Sequence, residues 1–137
     1  MSSLSDFFLA ENDSFPVYNA GVEYPDKSQF KSLSILEISG ILAVLNNGDT
    51  IELLDNFKLL TPEDAEEWTY AIPNEMVLLL SKIEENQITN VAEKCAIETK
   101  EEIEWETNDF IPVITELRSL SLKAREQSKG LYFWNSL

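Results

Sequence analysis

Residues 108–137 read NDFIPVITELRSLSLKAREQSKGLYFWNSL. In the first part of this stretch, apolar residues recur every three or four positions from Phe110 to Ala124, which is the spacing of one helix face. Asn108 stands at the start of the pattern and Gly130 at its end, as is typical of helix termini. The stretch therefore predicts the longest helix of the chain.

The tail that follows Gly130 is too short and too aromatic for a further helix. As a strand it presents two faces, one with Leu131, Phe133 and Leu137 and the other with Tyr132 and Trp134. We expect this strand to pair with extended chain near Tyr18.

Helical spacing also continues upstream of residue 108. Apolar residues from Phe30 to Leu45 predict a helix that ends at Asn46-Asn47-Gly48, and Gly40 within it allows a close helix contact. Asp49 predicts a cap for a short helix after that stop. Further helical signals are a start at Thr61-Pro62 and apolar stripes from Met76 to Ile83 and from Ile88 to Ala96.

Residues 1–29 differ from the rest, because Pro16, Gly21 and Pro25 interrupt any long helix. The whole pattern predicts an all-α or mostly α protein. We expect a single domain over residues 1–137, with five to six helices, an irregular N-terminal segment (1–29) packed on the helical core and a short C-terminal strand. Two segments leave a strand open as an alternative, Val17–Tyr24 and Ile51–Leu54.

Charge is the strongest compositional feature, with a net charge of −15 in 137 residues and no histidine. Residues 61–109 hold fourteen acidic residues and three lysines, whereas residues 110–137 carry a small positive excess. Such a field repels nucleic acid and anionic membranes and attracts basic proteins or cations. We therefore expect neither nucleic acid nor membrane as a partner, and a cytoplasmic location.

The composition excludes several kinds of catalytic site. Without histidine the chain lacks the usual general base and the usual nucleophile pairs. The single cysteine, Cys95, lies on an apolar stripe and is expected to be a buried structural thiol. The four glycines form no phosphate-binding loop. We assign no catalytic residue, no metal ligand and no cofactor.

Carboxylates are the remaining candidates for a functional site. The densest run follows the Ile88–Ala96 stripe. Two tryptophans adjoin acids, Trp68 after Glu66-Glu67 and Trp105 between Glu104 and Glu106, which suits an anchor at a protein interface. The alternative for each tryptophan is a place at the edge of the core. The predicted partner-binding residues are Trp68, Glu98, Glu101, Glu102, Glu104, Trp105 and Glu106.

Two stretches, Val91–Glu102 and Ala124–Leu137, are similar to segments of a group of small uncharacterised bacterial proteins. Those proteins pair an acidic helix end with an aromatic C-terminus. The resemblance implies a bacterial origin. It implies no activity, and no catalytic residue is carried over from it.

Three hypotheses of function remain from the sequence. The first is an acidic binding protein that inhibits a basic protein, in the manner of an immunity protein or an antitoxin. The second is a carboxylate-based enzyme or divalent-cation-binding protein that uses the cluster Glu98–Glu106. The third is a DNA mimic, which needs carboxylates spaced like phosphates. The sequence leaves the oligomeric state open.

Overall fold

The computed structural model of the protein describes residues 4–10, 28–61 and 67–136. These ranges contain five β-strands and five α-helices. The strands are β1 (Leu4–Ala10), β2 (Ser28–Lys31), β3 (Lys58–Leu59), β4 (Glu67–Ala71) and β5 (Gly130–Ser136). The helices are α1 (Ile35–Asn46), α2 (Thr50–Leu53), α3 (Asn74–Lys82), α4 (Ile88–Glu98) and α5 (Thr107–Gln127).

The prediction of an all-α or mostly α protein is wrong, because the strands form one antiparallel sheet and the fold is α+β. The strand order is β2-β1-β5-β4-β3. β5 lies at the centre of the sheet, where Phe133 is in register with Phe7 of β1 on one side and with Tyr70 of β4 on the other. The C-terminal tail is thus the central strand of the fold.

Burial on both faces explains why the sequence pattern missed β1 and did not identify β5 as the centre of a sheet. Five consecutive residues of β1, Ser5–Leu9, are buried, and so are the first five of β5. A strand that is buried on both faces has no alternation of polar and apolar residues, so its periodicity does not distinguish it from a buried turn or helix.

The two faces predicted for the tail are confirmed within the described residues. Leu131 and Phe133 belong to the main core beneath the helices, whereas Tyr132 and Trp134 form a second cluster with Phe8. The pairing partner was predicted wrongly, since β5 lies between β1 and β4. Tyr18 and Leu137 lie outside the described residues.

The first helix begins later than its apolar stripe. Phe30 belongs to β2, and α1 begins after Ser34, which forms a capping box with Glu37. The spacing between Phe30 and Leu33 matches a helix, and for this reason the predicted helical stripe includes Phe30. The predicted stop is confirmed, because Asn47 adopts the left-handed conformation (φ 58°) that ends α1.

The other helical predictions are mostly confirmed. Asp49 caps α2 by accepting the backbone N–H groups of Ile51 and Glu52. The alternative of a strand at Ile51–Leu54 is wrong, because these residues are helical. The start signal at Thr61 is followed by strand β4 from residue 67, and the Thr61 hydroxyl accepts the N–H of Thr69 at 3.3 Å. Residues 62–66 lie outside the described ranges.

The N-terminal segment predicted as irregular contains β1 and the first residues of β2. The possible strand Val17–Tyr24 lies outside the described residues. No helix in the described part of the chain is both long enough and apolar enough to cross a membrane.

Candidate interaction surface

The turn between α4 and α5 concentrates negative charge at one end of the helical layer. Residues 97–109 hold six carboxylates and one lysine. All six carboxylate side chains are exposed, and we call this set the acidic surface: Glu98, Glu101, Glu102, Glu104, Glu106 and Asp109.

Backbone hydrogen bonds hold the first part of the turn. The carbonyl of Thr99 accepts the N–H groups of Glu102 at 3.0 Å and of Ile103 at 2.9 Å. The buried hydroxyl of Thr99 donates to the carbonyl of Cys95 at 2.8 Å, one helical turn earlier. The chain therefore leaves α4 in a defined direction, and Glu101 and Glu102 stand at the outside of the bend.

Two inward side chains anchor the second part of the turn. Ile103 and Trp105 are half-buried and pack against the main core. The Trp105 ring meets the ring of the buried Phe110 edge-to-face, with 5.1 Å between ring centroids. Because side chains of extended chain alternate in direction, the intervening Glu104 and the following Glu106 face solvent.

A reciprocal cap fixes the start of α5. The side chain of Glu106 accepts the backbone N–H of Asp109, and the Asp109 carboxylate accepts the N–H of Glu106 at 2.8 Å. These two carboxylates suit the positive end of the helix dipole. The cap therefore fixes the positions of both carboxylates at the start of α5.

The first carboxylate of the acidic surface borders a buried polar contact between α2 and α4. Glu98 accepts a hydrogen bond from the hydroxyl of Thr50 at 3.3 Å. Burial raises the pKa of the nearby Cys95 thiol to about 12, and the negative charge of Glu98 adds in the same direction. Cys95 is a buried free thiol, as predicted, and is held in its neutral form.

An exposed apolar residue lies within this charged region. Ile97 is 75% exposed, although it is on α4 directly before Glu98. The apolar stripe that predicted α4 runs through Ile88, Ala92 and Cys95, so Ile97 points to the opposite side of the helix. The position of Ile97 opposite this stripe already predicts from the sequence that its side chain is exposed.

The structure brings six of the seven predicted partner-binding residues together. Trp105 and the five glutamates of that set all lie between the last residue of α4 and the start of α5. Trp68 lies on a different element, β4, in register with Asn135 of β5. Both tryptophans are half-buried.

The second hypothesis, a divalent-cation or carboxylate-enzyme site, gains no support from the described part of the chain. Among the described residues, no group of three His, Cys, Asp or Glu side chains is arranged to hold a metal ion. Four pockets are lined by residues of the described ranges, and none of the four includes a residue between 95 and 111.

Comparison with known proteins adds no relative from which a role can be transferred. The chain matches no family model, no curated protein and no solved structure. The resemblance to small bacterial proteins stays a prediction, and the function has to be argued from the chemistry of the acidic surface.

Proposed function

We propose that this chain is a cytoplasmic binding protein whose acidic surface takes a basic protein partner, in the manner of an immunity protein or an antitoxin. The observation that carries the proposal is the anchored turn between α4 and α5. Ile103 and Trp105 fix this turn on the core, its carboxylates are exposed, and the exposed Ile97 directly precedes them in α4.

The placement of these charges supports a role other than stability. Glu98, Glu101 and Glu102 cluster at the C-terminal end of α4, where the helix dipole is negative. Like charges at this end cost stability, on the order of 0.3–1 kcal/mol for each residue at low ionic strength. Lysine or arginine would stabilise this end of the helix instead.

The surface has the parts that a basic partner requires. Its field steers a positively charged protein and raises the association rate, and the effect falls as salt screens it. Ile97 offers an exposed apolar contact next to Glu98, and the half-buried Trp105 offers a second within the turn. Fixed carboxylates then pair with lysine or arginine at low cost in side-chain entropy.

Two triple variants of equal net charge test the proposal. The first neutralises the acidic surface: Glu101→Gln, Glu102→Gln and Glu104→Gln. The matched control neutralises three exposed glutamates elsewhere: Glu52→Gln, Glu75→Gln and Glu85→Gln. Partners are captured from a lysate of the native host, with washes at low and then at high salt, and are purified. Calorimetry then measures the affinity of each partner for the wild type and for the two triple variants.

The expected result is one basic partner that binds at one-to-one stoichiometry and stays bound through the high-salt wash. The affinity for this partner should fall at least about tenfold in the first triple variant, since each close charge pair contributes about 0.5 kcal/mol or more. The control should weaken it far less. Equal weakening by both variants, or only salt-labile binding to many basic proteins, contradicts the proposal. Displacement of the partner by duplex DNA would favour the DNA-mimic hypothesis.

A further inference from the structure

A groove runs along the edge of the sheet at β2. β2 is the outermost strand among the described residues, and beside it lies the first half of α5. The groove is lined by Ser28, Gln29 and Phe30 from the strand and by Pro112, Thr115 and Glu116 from the helix. Its volume is about 410 Å³, enough for several side chains of an extended peptide.

The edge of β2 has open hydrogen-bonding capacity within the described ranges. β2 pairs with β1 from Phe7↔Ser28 to Leu4↔Lys31. In an antiparallel pair, alternate residues direct their N–H and C=O groups towards the partner strand, and the residues between them direct these groups away from it. No strand of residues 4–10, 28–61 or 67–136 lies on this outer side. Such an edge is a template for an added strand.

The walls of the groove determine which side chains suit it. Phe30 is half-buried and packs edge-to-face on Phe7, so one side of its ring forms the floor. Pro112 and Thr115 are exposed on the opposite wall. An extended aliphatic side chain fits between these surfaces.

A carboxylate stands at the end of this apolar floor. Glu116 is half-buried and accepts a hydrogen bond from the hydroxyl of Ser28 at 2.7 Å, which ties α5 to β2 across the groove. Arginine and lysine match this arrangement, because their methylene stems cover apolar surface while the charged group reaches a carboxylate. An arginine here also lies near the face of an aromatic ring.

The groove continues the acidic surface. Asp109, Pro112 and Glu116 are spaced i, i+3 and i+7, so they form one stripe along α5 that starts at the acidic surface. Lys31 directly follows Phe30 in β2, so its side chain lies on the other face of the sheet. The charge that an incoming strand meets in the groove is negative.

We propose that an extended, arginine- or lysine-containing segment of the partner adds to β2 as a sixth strand of the sheet, with its basic side chains in the groove between Phe30 and Glu116. This inference rests on the proposed function for its basic partner and adds the mode of binding. A second copy of the chain is a poorer occupant of the same edge, because each copy carries a net charge of −15.

N-methylated peptides separate strand addition from simple charge attraction. The probe is a seven-residue peptide in which threonine and arginine alternate, with both ends blocked. One derivative carries N-methyl groups on the arginine amides and the other on the threonine amides, so that all three have equal charge. Binding to the full chain is followed by calorimetry, and hydrogen exchange of the Ser28–Lys31 amides is followed by NMR.

Strand addition predicts an asymmetric result. One derivative should lose at least about tenfold in affinity, because its methyl groups replace the N–H donors that face β2, and the other should bind like the parent. Alternate amides of β2 should exchange in the free protein and become protected in the complex. Equal affinity of all three peptides, equal loss in both derivatives or β2 amides fully protected in the free protein would overturn the inference.

Two variants test whether a basic side chain of the peptide lies at Glu116. Glu116→Gln keeps an oxygen that accepts the Ser28 hydroxyl but removes the charge, and we expect it to weaken the peptide about threefold to tenfold. Glu126→Gln is the control, an exposed position near the far end of the same helix. Equal effects of the two variants contradict the placement at Glu116. Peptide binding that survives the acidic-surface triple variant but shows the N-methyl asymmetry supports strand addition even if the proposed function fails.

Discussion

Thr99, at the C-terminal end of α4, packs directly on Gly40 of α1. A Cβ atom added at residue 40 would overlap with Cγ2 of Thr99, so the two helices approach as closely as they do only because residue 40 has no side chain. Thr99 cannot easily move away, since it is buried and its hydroxyl is bonded to the Cys95 carbonyl. The close helix contact predicted at Gly40 is confirmed.

Gly40→Ala is therefore expected to destabilise the protein, although alanine is the better helix former. Overpacking costs about 1–3 kcal/mol, which exceeds the gain in helix propensity of about 1 kcal/mol. Thr99→Ser removes the overlapping methyl group and keeps the hydroxyl. The double variant should thus be more stable than Gly40→Ala alone. Urea denaturation of the four proteins of this cycle measures the coupling. A single variant Gly40→Ala at least as stable as the wild type contradicts the packing argument.

The same contact region contains the buried thiol of Cys95, which should make stability pH-dependent in alkaline solution. Burial, with the charge of Glu98 as a smaller contribution, raises the pKa of Cys95 from 9.0 to about 12 in the folded protein. Between these two values the unfolded chain loses the thiol proton and the folded chain keeps it. The free energy of unfolding should therefore fall as the pH rises from about 9 towards 12.

Comparison with Cys95→Ala isolates this effect from the titration of tyrosine and lysine side chains. The variant is less stable at neutral pH, but its stability should fall less steeply over the same pH range. Denaturant unfolding at several pH values gives both slopes. If the free energy of unfolding falls equally steeply with pH in the two proteins, the buried thiol is not the cause of the fall.

The end of α5 offers a stabilising substitution. Ser128 follows the helix with φ of 55°, a left-handed conformation that glycine adopts without steric cost. Ser128→Gly should raise the free energy of unfolding by about 0.5–1 kcal/mol. Ser119→Gly is the matched control within the same helix, where glycine should cost about 0.5 kcal/mol relative to serine. Thermal unfolding of both variants should show shifts of opposite sign, and a loss of stability in Ser128→Gly would count against the assigned cap.

The sequence specified the helices far better than the sheet, for a physical reason. A helix on a core leaves one side in water, so α3, α4 and α5 keep a 3.6-residue pattern and their termini keep capping residues. β1 and β5 are buried on both sides, and β2 and β3 have four and two residues. A strand buried on both sides has no polar face, and a strand of two to four residues is too short for its alternation to be recognised.

The candidate site was predictable where it depended on composition. The carboxylates of the α4–α5 turn are adjacent in sequence, so their clustering needed no fold. Trp105 was harder, because its burial depends on Phe110 in the next helix. The groove at β2 was out of reach, since Phe30 fitted a helical stripe and Glu116 comes close to Ser28 only through the tertiary structure.

The final prediction concerns the kinetics of binding at the acidic surface. The association rate constant for a basic partner should fall by about tenfold or more between low and physiological ionic strength, while the dissociation rate constant should change little. The reason is that screening acts on the long-range field during the encounter, and contacts at Ile97 are apolar and insensitive to salt.

Stopped-flow measurements on three proteins test this division between charge and contact. The triple variant Glu101→Gln, Glu102→Gln, Glu104→Gln should bind more slowly and with a weaker salt dependence than the wild type. Ile97→Ala should leave the association rate unchanged and raise the dissociation rate, because it removes an apolar contact without changing the field. If Ile97→Ala leaves both rate constants unchanged, Ile97 is not part of the bound interface, and the partner contacts the carboxylates alone.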